Sequence, residues 1–534
     1  MRRLGAVLRC ALPAMVVAAA VLLPFVRKAY TIDDCVFLRQ AEHVLRDPLH
    51  PTAFEIVWDT DVRSRLSELH SSGPGMGYLL VPVALADGSE PVAHTVQLMF
   101  LLAGIWATVS LGLQLGLGPS EARTGGLILA ATPCVLAMAS TSMPDIPAMT
   151  FGVIGVDRLL AWKISRRPSQ AVLGLLSLAT GALTRWHLLL LAGVAGIALA
   201  NWATAPARTG FGRSLFGSLL PLIAVMATVL TVIYVTRDPA QTSGLLPGIR
   251  GRAAWQAAPR NFLAFLSHWV LAVPLALPWV VMRRNAIAWK AFGIFVLSGA
   301  GVLIPILSIR WWMLPIVALA AVVLLDVFRD GWGRKDSVQL LLAAWLLLAL
   351  PALVHPHLPS KYLVASAPAA ALLLVRELRW QAPALRRCLV GAILVAGVVL
   401  GVLIIHADSK LANLGRRAAA ELVAPHIANG RKVWSVGHWG FQWYAERAGA
   451  STLSRTPPFP RPGDIVVQSA IDGSKALQII KKRRLVKVVA DASPGGRVMS
   501  RSHNAGFFSN DWGNLPWAWG SDDINRFEVW EVQE

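Results

Sequence analysis

Two adjacent carboxylates, Asp33 and Asp34, follow the first apolar run of the chain in the segment Thr31-Ile32-Asp33-Asp34. Three more polar segments interrupt apolar sequence farther on: Met143-Pro144-Asp145-Ile146-Pro147, Thr184-Arg185-Trp186, and His355-Pro356-His357-Leu358-Pro359-Ser360-Lys361-Tyr362. Singly, each has an ordinary structural reading. An Asp of the pair reads as a solvated loop residue, as an N-cap for a helix from Cys35 to Leu45, or as a catalytic base. Asp145, between two prolines that stop one helix and start the next, reads as a helix cap. Lys361 snorkels, and Tyr362 belongs to an aromatic belt. Arg185 is expensive in lipid unless it faces a cavity or an anion. Together they set carboxylates opposite cations. The chemistry that needs this pattern is displacement of a phosphate leaving group by a hydroxyl or amine. A carboxylate takes the nucleophile's proton, typically worth ~10²–10⁴ in rate, and Arg or Lys holds the departing phosphate.

The elements that must position these groups are membrane helices. The 534 residues are 55% hydrophobic and only 15% charged, with a mean hydropathy of +0.55. Many apolar runs approach the ~20 residues that cross a bilayer core. About thirteen spans are expected, near 10–27, 92–117, 124–141, 147–162, 170–184, 187–203, 214–235, 265–282, 290–309, 312–328, 338–354, 361–376 and 387–406. The net charge of +20 raises the question of nucleic acid. The Lys and Arg residues lie between apolar runs, however, and no nucleic-acid-reading motif accompanies them, which speaks against that class.

The basic connections alternate. Arg2 and Arg3, Arg123, the group Lys163, Arg166 and Arg167, Arg208 and Arg213, and the group Arg283, Arg284 and Lys290 share one side if the N-terminus is cytoplasmic. So do Arg329, Arg334 and Lys335, and the group Arg376, Arg379, Arg386 and Arg387. That orientation puts a first loop at 28–91, a loop at 236–264, the turn His355 to Ser360 and residues 407–534 outside. Arg27-Lys28, where a small-residue cleavage site would stand in a signal peptide, marks the first run as a retained helix.

After His406 the pattern changes to short β-rich runs at Lys432 to Val436, Asp464 to Gln468, Leu485 to Val489 and Phe527 to Val532, with helical patterns around 409–428 and 473–482. The expected organisation is a membrane domain over 1–406 and a small extracytoplasmic α/β domain over 407–534. Gly437-His438-Trp439-Gly440 reads as a turn, and Phe507, Phe508, Trp512, Trp517 and Trp519 as core residues or a carbohydrate-contacting face. Cys10, Cys35, Cys134 and Cys388 form no metal or redox motif and read as packing residues.

In series, these segments resemble the GT-C superfamily of polyprenyl-phosphate-sugar glycosyltransferases, most of all the bacterial aminoarabinose transferases and protein O-mannosyltransferases. Tyr30-Thr31-Ile32-Asp33-Asp34, followed by Ala41-Glu42-His43-Val44-Leu45, is similar to the family's first-loop acidic motif and amphipathic helix. His70 to Leu80 resembles its Pro-Pro-Leu segment, with Gly73 replacing the first proline and Gly75 the leucine. Met143 to Pro147 resembles its Pro-Asp-x-Pro motif, Gly181 to Arg185 its Thr-Lys segment with Arg for Lys, and Lys361-Tyr362-Leu363 through Pro368 its late Arg/Lys-Tyr helix.

The resemblance implies a polytopic α-helical membrane protein whose Asp33 is the base, with Asp34 its neighbour and Asp145 a second acidic site. Arg185, Lys361 and Tyr362 would meet the phosphate of a polyprenyl-phosphate-linked sugar, and the loop with Arg250 and Arg252 would close over the carrier. The acceptor would be a lipid, glycan or protein at the outer face of the inner (cytoplasmic) membrane. No cofactor is expected. A divalent cation is conceivable in this superfamily, yet Asp33, Asp34, Asp145 and His70 form only a loose oxygen-rich set, and His355-Pro356-His357 lacks further ligands. The competing class is a transporter or flippase of lipid-linked sugars, against which stand the lack of paired inverted halves and of charge deep in mid-membrane.

Overall fold

A computed structural model describes residues 2–58, 61–69, 73–201, 211–241, 252–283, 311–471 and 474–534. The expected span at 290–309 and residues His70, Arg208, Arg250, Arg284 and Lys290 lie outside the described residues. Helices run through the other intervals read as spans.

The first helices are α1 (Arg2–Leu22), α2 (Asp34–Val44), α3 (Glu90–Gln114), α4 (Pro119–Ala130), α5 (Pro133–Ala139), α6 (Asp145–Ser165), α7 (Pro168–Thr184) and α8 (Leu188–Asn201). They continue with α9 (Phe211–Thr236), α10 (Arg252–Leu271), α11 (Ala276–Arg283), α12 (Leu314–Gly333), α13 (Ser337–Leu346), α14 (Ala367–Leu378) and α15 (Pro383–Ala418). Among the described residues, five helical segments are long and apolar enough to cross a membrane: Gly5–Phe25, Glu90–Gln114, Leu219–Thr236, Ser337–Val354 and Pro383–Ala428. Two bent pairs also pass, α4 with α5 at 61° and Trp255–Leu271 with α11 at 65°. Pro133 and Pro274 stand at those breaks, where a missing N–H and the ring's clash with the preceding turn end a helix. This is the helix set of a multi-pass membrane protein. The outward faces are correspondingly apolar, with Val172, Leu176, Leu230, Val395 and Val399 all exposed.

The boundary expected at 406 falls inside one continuous helix. The apolar run ends there, but Ala407, Leu411, Leu414 and Ala418 carry a buried stripe at helical spacing, so α15 continues to Ala418 and on through a π turn to Ala428. Beyond it lies a five-stranded mixed sheet of β1 (Val433–Val436), β2 (Ser451–Thr452), β3 (Ile465–Ser469), β4 (Arg483–Ala490) and β5 (Arg526–Val532). Its order is β2-β1-β3-β5-β4, parallel over the first three and antiparallel across β5. Alternation along the strands divides its core. Val433, Ile465, Val467, Phe527 and Val529 join the main core, while Trp434, Val436, Val466 and Val532 form a small second one.

Two expectations in this region change. Among the described residues of 473–482 the one helical element is the 3₁₀ turn Ala476–Ile479, and Gly437 to Gly440 opens a helix, α16 (Trp439–Arg447). Gly440 is required there, because a Cβ would sit 2.0 Å from the Tyr30 carbonyl oxygen of the first loop. Of the late aromatics, Phe507 and Phe508 are core residues, whereas Trp519 is 65% exposed.

Candidate functional site

The polar segments converge at one end of the bundle. Between α1 and α2 the chain makes a tight turn in which the Asp34 N–H donates to the Thr31 carbonyl at 2.9 Å and the Thr31 N–H donates back to Asp34 Oδ2 at 2.9 Å. Ile32, buried at its centre, has φ of 39°. A β-branched residue in the left-handed region costs ~1–3 kcal/mol and persists only where its surroundings enforce it. This turn delivers Asp33 to Lys361, whose Nζ lies 2.8 Å from Asp33 Oδ2 and 3.7 Å from Met143 Sδ. Lys361 itself stands in the 3₁₀ turn Ser360–Ser366, which Pro359 starts ahead of α14.

The second pair adjoins the first. Pro144 caps α6 and Asp145 stands in its first turn, where the helix dipole favours an anion. Arg185 leaves the end of α7 in extended conformation and donates to Asp145 Oδ2 at 2.9 Å. Its guanidinium lies 5.3 Å over the Tyr362 ring. His187 and His355 flank that ring at 6.1 Å each, and His357 meets His355 edge-on at 5.1 Å. Both pairs are largely withdrawn from solvent, with Asp33 at 23% and Arg185 at 11% the more accessible side chains.

Asp34 stands apart from this cluster. It is fully buried and accepts the Ser142 N–H at 2.7 Å, tying the Asp33 turn to the strand of chain that precedes Asp145. Burial pushes its carboxyl up to about 7, against the pull of Lys28 and the two backbone donors. Lys28 donates to the Ser140 carbonyl at 2.9 Å and pairs with Asp408 of α15 at 2.8 Å, and Asp408 accepts the Thr31 hydroxyl at 2.9 Å. Sequence reasoning missed this support. Lys28 read only as a sign that the first apolar run is a retained helix, and Asp408 carried no signal beyond lying just past an apolar run.

Gly73 and Gly75 explain how the first loop seats. A Cβ at Gly73 would lie 2.0 Å from the Leu183 carbonyl oxygen, and one at Gly75 would lie 2.8 Å from Thr184 Cγ2. The two glycines therefore let this loop touch the end of α7 immediately before Arg185. Residues beyond α15 grip two of the site's segments. Tyr444 Oη accepts the Tyr30 N–H at 2.9 Å and donates to Glu90 at 2.6 Å. Asn510 accepts the Leu358 N–H at 2.9 Å and donates to Asn261 of α10, which holds the His355 carbonyl at 2.6 Å.

Arg252 begins α10, and Arg250 falls outside the described residues, so the geometry brings together Asp33, Asp145, Arg185, Lys361 and Tyr362 of the expected set. Among the described residues no group of three or more His, Cys, Asp or Glu is arranged to hold a metal ion.

No family model and no curated protein matches the chain. Among solved structures the chain is similar to ArnT. The crystal structure of ArnT from Cupriavidus metallidurans bound to undecaprenyl phosphate aligns over 90% of this chain and 96% of its own, at 18% identity and a TM-score of 0.48. Its apo state aligns over 99% and 98%, at 16% identity and a TM-score of 0.47. The arabinofuranosyltransferase AftD from Mycobacteria aligns over 99% of this chain and 40% of its own, at 14% identity and a TM-score of 0.43.

Proposed function

We propose that this protein is an inverting glycosyltransferase that moves a sugar from a polyprenyl-phosphate carrier to a lipid, glycan or protein acceptor at the outer face of the cytoplasmic membrane. The observation that carries this reading is the interlocked pair of ion pairs, Asp33 with Lys361 and Asp145 with Arg185, around Tyr362.

Asp33 is the base. The acceptor's hydroxyl or amine gives its proton to the carboxylate and bonds to the anomeric carbon from the face opposite the phosphate. The bond from that carbon to the phosphate oxygen breaks, its electron pair leaves on the phosphate, and the configuration inverts. Lys361 and Arg185 neutralise the charge that develops there. A bound phosphodiester competes with Asp33 for Lys361, so donor binding frees the carboxylate for the acceptor's proton. Arg185 also keeps a buried Nε–H with no partner among the described residues, a donor that costs ~1–3 kcal/mol to leave unmade and that a phosphate oxygen would satisfy. Asp145 holds Arg185 in place, Tyr362 stacks beneath it, and Asp34 braces the turn. Arg260 and Asn261 of α10 donate to the Pro356 and His355 carbonyls at 2.6 Å each and hold that turn beside the site.

The test is release of free polyprenyl phosphate from a panel of polyprenyl-phosphate sugars by the purified protein, with membrane extract as acceptor source and the anomeric configuration of the product determined. Inverted product with stoichiometric carrier release is expected. Vesicle uptake of the intact lipid-linked sugar without release would overturn the reading in favour of a transporter.

A further inference from the structure

The opposite end of the bundle holds a second built site. Lys361 precedes α14 and Arg379 follows it, and the 12 residues of α14 alone set its two ends ~18 Å apart. There the start of α4, the end of α14 and the start of α15 enclose a cavity of about 410 Å³. Arg379, Arg386 and Arg387 line its polar side, and Val390, Gly391 and Leu394 of α15 continue from them as an apolar floor.

The charges set this cavity apart from its surroundings. Neighbouring arginines at the same end are matched by carboxylates: Arg283 with Asp330 and Glu377, Arg334 with Asp330, and Arg376 with Asp336. Arg379, Arg386 and Arg387 have no acidic partner among the described residues, and Arg379 Nε is buried without a hydrogen bond. Glu121 is the one carboxylate in the lining, and its Oε2 accepts the Gly118 N–H at 2.7 Å to close the start of α4. Three guanidinium groups against one occupied carboxylate, above an apolar floor that opens along a membrane helix, match an amphipathic anion.

We infer that this cavity binds the phosphate headgroup of an anionic membrane phospholipid, with its acyl chain along Val390, Gly391 and Leu394. The arginines fork onto the phosphate oxygens, which supplies the acceptors that Arg379 lacks. The floor is open beside Gly391, where a Cβ would meet nothing within 4 Å.

Native mass spectrometry of the detergent-solubilised full chain tests this by titrating phosphatidylglycerol against phosphatidylcholine. The wild type should retain phosphatidylglycerol selectively. The double variant Arg386→Ala with Arg387→Ala should weaken retention by about tenfold or more. Gly391→Trp, which fills the floor and leaves every charge in place, should weaken it as well in a protein that unfolds at the wild-type temperature. Retention unchanged in both variants, or equal retention of the two lipids by the wild type, would overturn the inference. Displacement of the lipid by millimolar inorganic phosphate would assign the cavity to a free phosphate and overturn the lipid reading.

Discussion

Lys361 Nζ lies 2.8 Å from Asp33 Oδ2, joining side chains 328 positions apart in the chain. The ion pair closes the bundle at the point where the first loop meets the last membrane helices. Its members are the proposed base and one of the two proposed phosphate ligands, so donor binding and base activation share one contact.

Arg185→Lys tests the second ligand. Lysine keeps the charge but loses the planar fork that meets Asp145 and lies over Tyr362. We expect kcat/KM for the lipid donor to fall roughly 10–100-fold, mostly through KM, with unchanged thermal unfolding. Steady-state kinetics over a donor titration checks it.

The buried brace gives a prediction about pH. The Asp34 carboxyl is raised to about 7 in the folded protein from an ordinary value near 3.8. Between these values the folded state holds a proton that the unfolded chain has released, so this group's contribution to stability is complete below about pH 4 and is lost as pH rises through 7. Melting temperatures of wild type minus Asp34→Asn should therefore decline from about pH 4.5 to 7.5. A difference that grows with pH would contradict this assignment.

Lys28 and Asp408 should behave as a unit. Removing one partner with Asp408→Leu leaves Lys28 charged in a site where its side chain is 0% exposed, and should cost about 3–5 kcal/mol. Adding Lys28→Met should recover much of that stability. Chemical denaturation of the single and double variants measures the coupling.

Gly440→Ala should loosen the grip of α16 on the first loop. The added methyl would sit 2.0 Å from the Tyr30 carbonyl oxygen, so the two segments must part, at about 1–3 kcal/mol. Faster proteolysis within residues 28–58 and a lower kcat are the expected readouts.

The candidate site was legible in the sequence because its members interrupt apolar sequence, where a charged residue needs a reason. Asp145, Arg185 and Lys361 stood out on that ground, and Asp33 as one of an adjacent pair just past the first apolar run; the four do converge. The pairings between them were not legible, since each joins distant segments. The two carboxylates of the acidic pair also part company. Successive helical residues point ~100° apart, so at the start of α2 Asp33 meets Lys361 while Asp34 turns into the bundle. The continuation of the helix past 406 was not legible for a related reason. Hydropathy marks where the chain leaves the apolar layer, whereas the buried stripe through Leu411 and Leu414 decides where the helix ends. Gly73 and Gly75 looked like departures from a proline-rich pattern, and their value lies in the backbone of α7 that they let approach.

The most direct test is turnover by Asp33→Asn, measured as release of free polyprenyl phosphate from the best donor of the panel. Removing the base without changing its shape should lower turnover by ~10²–10⁴, in a protein that still folds and binds the donor at least as tightly as the wild type, since the neutral amide no longer competes with the phosphate for Lys361. Undiminished release by the folded variant would remove Asp33 from the role of base and contradict the account.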